Sequence, residues 1–193
     1  ASASSTARSS QVALHGDFLP LPTQLAFTSS PHRIKAYIGA MGSGKTRILC
    51  HTSLDLLTRL PGSRGVIGRY TLKDFKRTTL ESLNRVLDTI PEIVERQLPQ
   101  GEGWDLRTTD PDRPSRLWTA HYDEPGAYAS MGLGLWAIDE VNGDDLSPSV
   151  PEAVFNMLDA RLGRDQEPTL KPYGLMGGNP GGHNWPWRLC HPA

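Results

Sequence analysis

The feature that most constrains the fold of this chain is a glycine-rich turn at residues 39–46, which matches the pattern G-x-x-x-x-G-K-[ST] without a mismatch. Its positions are Gly39, Ala40, Met41, Gly42, Ser43, Gly44, Lys45 and Thr46. β-Branched and aromatic residues precede it at 34–38 and favour a strand. Apolar residues then recur at helical spacing as far as Leu60, and a Pro-Gly pair follows. The order strand, glycine turn, helix predicts the phosphate-binding loop of an α/β protein.

Each part of this turn has a chemical reason to bind a triphosphate. Glycines allow backbone N–H groups to turn towards phosphate oxygens that a Cβ would obstruct. The helix that begins near Gly44 presents unpaired N–H groups and the positive end of its dipole. Lys45 would contact the β- and γ-phosphates, and the Thr46 hydroxyl would bind magnesium. A turn that binds nothing is the alternative, but the flanking strand and helix favour a site for ATP and Mg²⁺.

The charge of the chain is nearly balanced, with 20 Lys and Arg against 21 Asp and Glu over 193 residues. Because no global basic field is present, any contact with nucleic acid must come from local patches. The two cysteines, Cys50 and Cys190, lack the spacing of a metal site, which favours a reducing cytosol. We find no run apolar enough for a leader or a membrane span, so we expect a soluble protein without a membrane partner.

A second candidate element is the apolar stretch 133–138, which ends in Asp139-Glu140. A buried strand that delivers two carboxylates at its C-terminal end is typical of a Walker B element. Asp139 would hold magnesium, commonly through its waters, and Glu140 would act as general base on the attacking water. A strand followed by an acidic turn is the alternative. The position of this pair, about ninety residues after a complete phosphate loop, favours the catalytic interpretation.

Three further polar residues are candidates for contacts with the nucleotide. Gln24 lies upstream of the first strand, and its amide could donate to and accept from adenine, although a surface role is equally compatible with the pattern. Arg69 ends a second predicted strand, 64–70, where ligands of open α/β sheets bind, so it could contact phosphate. Asn179 follows a predicted strand, 173–176, and suits a sensor of the γ-phosphate or its water, although turn chemistry alone would explain Gly-Gly-Asn-Pro.

The remaining basic residues are less specific. A helix is predicted after the N-cap Thr71, and its first turns carry three basic residues that favour a solvated face over contact with DNA. These residues are Lys73, Lys76 and Arg77. Residues 104–108 and 116–122 are predicted to form an excursion before the next core strand. Three arginines in this region are candidates to act on a neighbouring subunit, and the sequence does not choose among them. They are Arg107, Arg113 and Arg116.

The order of these elements resembles the ATPase domain of the large terminase subunit, the motor that packages DNA into tailed-phage heads. The similar segments are AYIGAMGSGKT, GVIGRYTLKDFKRTTLESL, LWAIDEV and GLMGGNPGGHNWPW, and the resemblance runs from about residue 24 to residue 187. The most family-specific piece is the Asn-Pro followed by His183-Asn184-Trp185, which is similar to the terminase coupling motif.

The resemblance implies a fold and a set of partners. The expected fold is an α/β P-loop NTPase of the additional-strand, catalytic-glutamate (RecA-like) type, a three-layer sandwich around a mainly parallel sheet. It would occupy residues 17–193, after a flexible arm at 1–16. The implied activity is ATP hydrolysis coupled to translocation of double-stranded DNA. The implied setting is a homo-oligomeric ring with a small terminase subunit and a portal protein, in the cytoplasm of the infected host cell.

The resemblance also assigns roles residue by residue. Lys45 and Thr46 take the phosphate and metal roles, Asp139 the metal role and Glu140 that of the base, while Asn179 couples hydrolysis to motion. Met41 departs from the family, many of whose members carry a basic residue inside the loop. Terminases also continue into a nuclease domain that is absent from these residues, so no nuclease activity is expected. Another P-loop DNA motor, such as a helicase or recombinase, and a nucleotide-binding module without turnover remain the alternatives.

Overall fold

The computed structural model describes residues 18–143, 148–164 and 170–191, so the predicted arm at 1–16 lies outside the described residues. The helices are α1 (Pro22–Ser29), α2 (Lys45–Thr58), α3 (Leu72–Asp74), α4 (Leu80–Thr89), α5 (Glu152–Asp159) and α6 (Trp185–Cys190). The strands are β1 (Ile34–Ile38), β2 (Arg64–Arg69), β3 (Val94–Gln97), β4 (Gly103–Leu106), β5 (Ser115–His121), β6 (Leu135–Ile138) and β7 (Tyr173–Gly178). A π-helical turn, Phe75–Thr79, joins α3 to α4. Across the described residues, no helix is long and apolar enough to cross a membrane.

The strands form one sheet in the order β1-β7-β6-β2-β5-β4-β3. The first five of these strands run parallel, and β4 and β3 add an antiparallel edge. β7 lies between β1, which leads into the glycine turn, and β6, which leads into Asp139. The structure therefore confirms the predicted fold class, an α/β fold with a mainly parallel central sheet.

Helices cover both faces of this sheet because successive strand residues point to opposite sides. On one face, Leu135 and Leu175 pack in a buried cluster with α2 and α4. On the other face, Trp136 and Met176 pack with α5. The three layers give two apolar cores, one on each side of the sheet.

One prediction about the strands is wrong. The stretch 116–122 was expected to form an excursion with 104–108, but β5 pairs in parallel with β2 and belongs to the core of the sheet. The excursion consists instead of β3 and β4, which run antiparallel beyond β5. β3 was not predicted at all. Its last three residues are exposed at the sheet edge, so no apolar alternation marks them in the sequence.

A buried lysine on β1 gives the fold a measurable pH dependence. Lys35 is 5% exposed, and its ammonium donates to the Thr28 carbonyl over 2.8 Å. Burial lowers the pKa of Lys35 to about 8 from its ordinary value of 10.5, the nearby charge of Lys171 lowers it further, and Asp55 opposes the shift. The unfolded chain therefore keeps this proton at pH values where the folded protein has released it.

We expect the contribution of Lys35 to the free energy of unfolding to increase as pH rises from about 8 to about 10.5. Guanidinium denaturation of the wild type and of Lys35→Met across pH 7 to about 10 measures the effect. The difference between the two free energies should move in favour of the wild type as pH rises. A difference that stays constant over this range would show that the lysine titrates normally in the folded protein.

Candidate active site

The predicted site residues meet at the edge of the sheet where the parallel strands end. The glycine turn follows β1, Asp139-Glu140 follows β6, Asn179 follows β7, and Arg69 is the last residue of β2. Because the central strands are parallel, their C-terminal ends share one edge, which is where open α/β sheets bind ligands. The structure thus brings together candidates from four separate stretches of sequence.

The backbone of the glycine turn requires glycine at two positions. Gly42 and Gly44 have φ values of +78° and +77°, in the left-handed region that other residues adopt only with strain. At Gly44 a Cβ would also lie 2.7 Å from Gln24 Nε2. The Gly39 N–H donates to the Gly178 carbonyl over 3.1 Å, which ties the start of the turn to the end of β7. The loop is therefore fixed between β7 and α1.

Lys45 and Thr46 open helix α2 directly after the turn. The Lys45 side chain is 5% exposed, and its ammonium donates to the Ala40 carbonyl over 2.9 Å, so the positive charge lies within the turn. The Thr46 hydroxyl lies 3.0 Å and 3.2 Å from the two carboxylate oxygens of Asp139. A hydroxyl and a carboxylate in contact are hard oxygen ligands of the kind that Mg²⁺ prefers, so these residues fit the predicted metal.

The Asp139 carboxylate is completely buried and is held by more than Thr46. The Thr79 hydroxyl donates to Asp139 Oδ2 over 2.5 Å, and Arg69 Nε lies 3.7 Å from the same oxygen. A buried carboxylate needs such partners because it has lost its water. Sequence analysis missed Thr79. The available signal was a polar residue midway between Phe75 and Leu83 on the apolar stripe of its helix.

Glu140 has a strained backbone. Its φ of +54° lies in the left-handed region, which is uncommon for a residue other than glycine. Its carboxylate accepts from Asn179 Nδ2 over 3.0 Å, and its other oxygen lies 3.7 Å from Arg69 NH2. Strained residues of this kind concentrate at functional sites, where the surrounding structure holds them in place.

The strain at Glu140 predicts an unusual order of stability between two variants that both lose the carboxylate. We expect Glu140→Gly to be more stable than Glu140→Ala by about 1 kcal/mol, because alanine keeps the left-handed strain and glycine does not. At an ordinary position glycine would be less stable than alanine by roughly 0.5–1 kcal/mol. Guanidinium denaturation of both variants measures the difference. An alanine variant that is at least as stable as the glycine variant would contradict the left-handed backbone.

Arg69 lies between the two carboxylates. It is 8% exposed, and its NH1 donates to the Thr78 hydroxyl over 2.6 Å, while that hydroxyl donates to the Asp74 carbonyl over 2.9 Å. The strand end is where the sequence placed Arg69, but its partners in this structure are Asp139, Glu140 and Thr78. Its predicted contact with phosphate stays a prediction.

Gln24 lies beneath the glycine turn and is 4% exposed. Its Nε2 donates to the Ser43 carbonyl over 3.2 Å, and its Oε1 accepts from the Leu21 N–H over 2.9 Å. Both ends of the amide therefore bind the backbone of the protein itself, which supports the turn and the start of α1. The predicted contact with adenine stays a prediction.

The segment after β7 is connected to the segment after Glu140 by amide side chains. Asn142 Nδ2 donates to the Asn179 carbonyl, and Asn142 Oδ1 accepts from Asn184 Nδ2 over 2.8 Å. Trp185 Nε1 donates to the Val150 carbonyl over 2.8 Å. A displacement of Asn179 would therefore act on both segments through these hydrogen bonds. Asn142 was not singled out from the sequence, where an isolated asparagine in a turn carries no distinctive signal.

The candidate trans-acting arginines lie away from this site, at the opposite edge of the sheet where the parallel strands begin. Arg116 lies on β5 and pairs with Asp105 over 2.5 Å, which holds the pKa of that carboxyl below its usual range. Arg107 donates to the Glu92 carbonyl over 3.4 Å, and Arg113 precedes β5. A role on a neighbouring subunit stays a prediction for all three.

Comparisons with known proteins identify the fold. No protein-family model matches the chain, and no curated protein matches it. The large terminase of a thermophilic bacteriophage is 15% identical, with a TM-score of 0.64 over 82% of this chain and 39% of that chain. The large terminase ATPase domain of Thermus phage P74-26 is 23% identical, with a TM-score of 0.58 over 87% of this chain and 68% of that chain. The HK97 bacteriophage large terminase is 15% identical, with a TM-score of 0.61 over 89% of this chain and 37% of that chain.

This chain thus spans about two fifths of the length of the first and third of these proteins. Further structures of the thermophilic phage terminase are complexes with ADP and with ATP-γ-S, at 15% and 14% identity to this chain. At these identities the likeness establishes the fold, and the predicted resemblance to terminase ATPase domains is confirmed at that level.

Proposed function

We propose that this chain is the ATP-hydrolysing motor domain of a viral terminase that packages double-stranded DNA. The observation that carries the proposal is the meeting, at one sheet edge, of a complete phosphate loop, the Thr46–Asp139 contact and the Glu140–Asn179 contact. These pairs supply the binding, metal and water-activating functions that phosphoryl transfer requires. They lie on a fold that is similar to the solved structures of large terminases.

The glycine turn and the first turn of α2 would hold the phosphates of ATP. Their N–H groups and the helix dipole attract anions, and the Lys45 ammonium already lies inside the turn. Thr46 and Asp139 would hold magnesium, which supplies positive charge beside the β- and γ-phosphates. Gln24 supports the turn from below, and adenine recognition by its amide remains part of the proposal.

Glu140 would act as general base on the attacking water. Its carboxylate is oriented by the Asn179 amide, whose Nδ2 donates to it over 3.0 Å, and Arg69 NH2 lies 3.7 Å from its other oxygen. No described residue donates to Asn179 Oδ1, a buried acceptor beside the base that could take the second hydrogen of that water. In-line attack on the γ-phosphate would follow, with the base accepting the proton of the water.

Asn179 would couple hydrolysis to movement of the motor. Its backbone carbonyl binds Asn142, which in turn binds Asn184 in the segment before α6. Loss of the γ-phosphate would change the environment of the Asn179 side chain, and this amide connection reaches both segments. By resemblance, the proposal also includes binding to double-stranded DNA and assembly into a homo-oligomeric ring. The proposed partners are the small terminase subunit and the portal protein, in the cytoplasm of the infected host cell.

One observation favours a second candidate, a nucleotide-binding module that does not hydrolyse ATP as an isolated chain. Within the described part of the site the cationic side chains are Lys45 and Arg69, and Arg69 lies between two carboxylates. An arginine supplied by a neighbouring subunit raises the rates of such ATPases by about 1,000-fold or more. The isolated chain would then depend on assembly for activity.

ATP turnover measured over a wide range of protein concentration, with and without linear double-stranded DNA, tests both candidates. For the motor we expect the rate per chain to rise with concentration as subunits assemble, and to rise further with DNA. Nucleotide binding without turnover at any concentration would support the module. Strand separation by the protein would instead indicate a helicase.

A further inference from the structure

The π-helical turn Phe75–Thr79 is an irregular element that contacts the proposed site through Thr78 and Thr79. Single π-helical turns are frequent at functional sites. The segment holds neither proline nor glycine, and the hydroxyl of Thr78 donates to the Asp74 carbonyl of the preceding turn, a contact that distorts helices. Phe75 and Thr79 are both completely or almost completely buried, so the turn faces the core of the protein.

The turn brings two consecutive threonines to the same end of the sheet. Thr79 donates to Asp139 Oδ2 over 2.5 Å, and Thr78 accepts from Arg69 NH1 over 2.6 Å. Two consecutive residues of the π turn therefore contact two different groups of the proposed site, Thr78 the arginine and Thr79 the carboxylate.

We propose that Thr79, the last residue of the π turn, is a positioning residue that orients the carboxylate of Asp139. This inference rests on the proposed function. Thr79 donates to Oδ2, and the Thr46 hydroxyl lies 3.0 Å from Oδ1 and 3.2 Å from Oδ2. Thr79 therefore holds the carboxylate beside the hydroxyl with which it would bind the metal. Because Asp139 is 0% exposed, water cannot replace the lost donor if Thr79 is changed.

Packing does not explain the hydroxyl of Thr79. The same helical segment contributes Leu83, Val86 and Leu87 to the apolar core, and a valine at position 79 would fill nearly the same volume. A hydroxyl in a buried position needs a partner, and its partner here is the carboxylate predicted to bind magnesium. Residues that orient metal ligands in this way typically change metal affinity by 10–100-fold when mutated.

The test compares the affinity of the protein for a fluorescent methylanthraniloyl ATP in Mg²⁺ and in EDTA. We expect Thr79→Val to lower the ratio of these two affinities by about 10-fold, with little change in EDTA. Thr79→Ser keeps the hydroxyl and should retain the wild-type ratio. Thr58→Val is the matched control, because the buried Thr58 hydroxyl donates to the Asp55 carbonyl over 2.8 Å in the last turns of α2. It should leave the ratio unchanged.

A wild-type ratio in Thr79→Val would overturn this inference and leave the proposed function intact. A wild-type protein whose nucleotide affinity is the same in Mg²⁺ and EDTA would overturn both. If Thr79→Val does not fold, Thr79→Cys replaces it, since a thiol has nearly the size of the serine side chain but is a weak donor. The cysteine variant should then lose the magnesium effect that the serine variant keeps. Equal ratios in these two variants would again overturn the inference.

Discussion

Replacing Glu140 with glutamine should lower the rate of ATP hydrolysis by about 100-fold or more, because an amide cannot accept a proton from the attacking water. In the wild type, Asn179 Nδ2 donates to the Glu140 carboxylate over 3.0 Å. Glutamine has nearly the same size, and its carbonyl oxygen can still accept this hydrogen bond. Nucleotide affinity should therefore change by less than about twofold. Turnover and binding of nucleotide, measured on the same samples at several concentrations, separate the two effects.

Glu152→Gln is the matched control for this prediction. Glu152 is an exposed carboxylate that pairs with Arg188 over 2.9 Å at the start of α5, away from the proposed phosphate site. Its substitution should leave both turnover and affinity unchanged. Appreciable and equal turnover in the wild type and in Glu140→Gln would show that another group is the base. Loss of binding together with turnover would show that Glu140 maintains the shape of the site instead.

Replacing Lys45 with methionine should lower the affinity for ATP by about 10- to 100-fold. A hydrogen bond to a charged group contributes about 1.5–3 kcal/mol, and each 1.4 kcal/mol is a tenfold change in affinity. The ammonium of Lys45 lies inside the glycine turn, where it contacts the Ala40 carbonyl and where the phosphates would bind. Equilibrium binding of the fluorescent ATP analogue measures the loss.

Lys35→Met is the matched control, because both lysines are 5% exposed. Lys35 donates to the Thr28 carbonyl and takes no part in the glycine turn. Its substitution should leave the affinity for ATP unchanged, although it alters the dependence of stability on pH. An equal loss of affinity in the two variants would indicate a weakened fold and would argue against a specific role for Lys45.

The sequence determined the elements whose signals are local. The glycine turn was predictable because strand, turn and helix are consecutive, so the residues that shape the turn lie within one short stretch. The pair Asp139-Glu140 was predictable because an apolar strand ends directly at two carboxylates. The mainly parallel sheet was implied by the resemblance to terminase ATPase domains, and the structure confirms it.

Only the tertiary structure decided which distant groups hold these residues. Thr79 donates to a carboxylate 60 positions away, and Asn142 binds the backbone of a residue 37 positions away. A sequence pattern predicts which residues are buried, but it does not identify the group to which a buried polar side chain hydrogen-bonds. The exposed edge strand β3 and the central place of β5 escaped prediction for the same reason. Pairing between strands depends on the assembled sheet, and the left-handed backbone of Glu140 is stable only because the folded site holds it there.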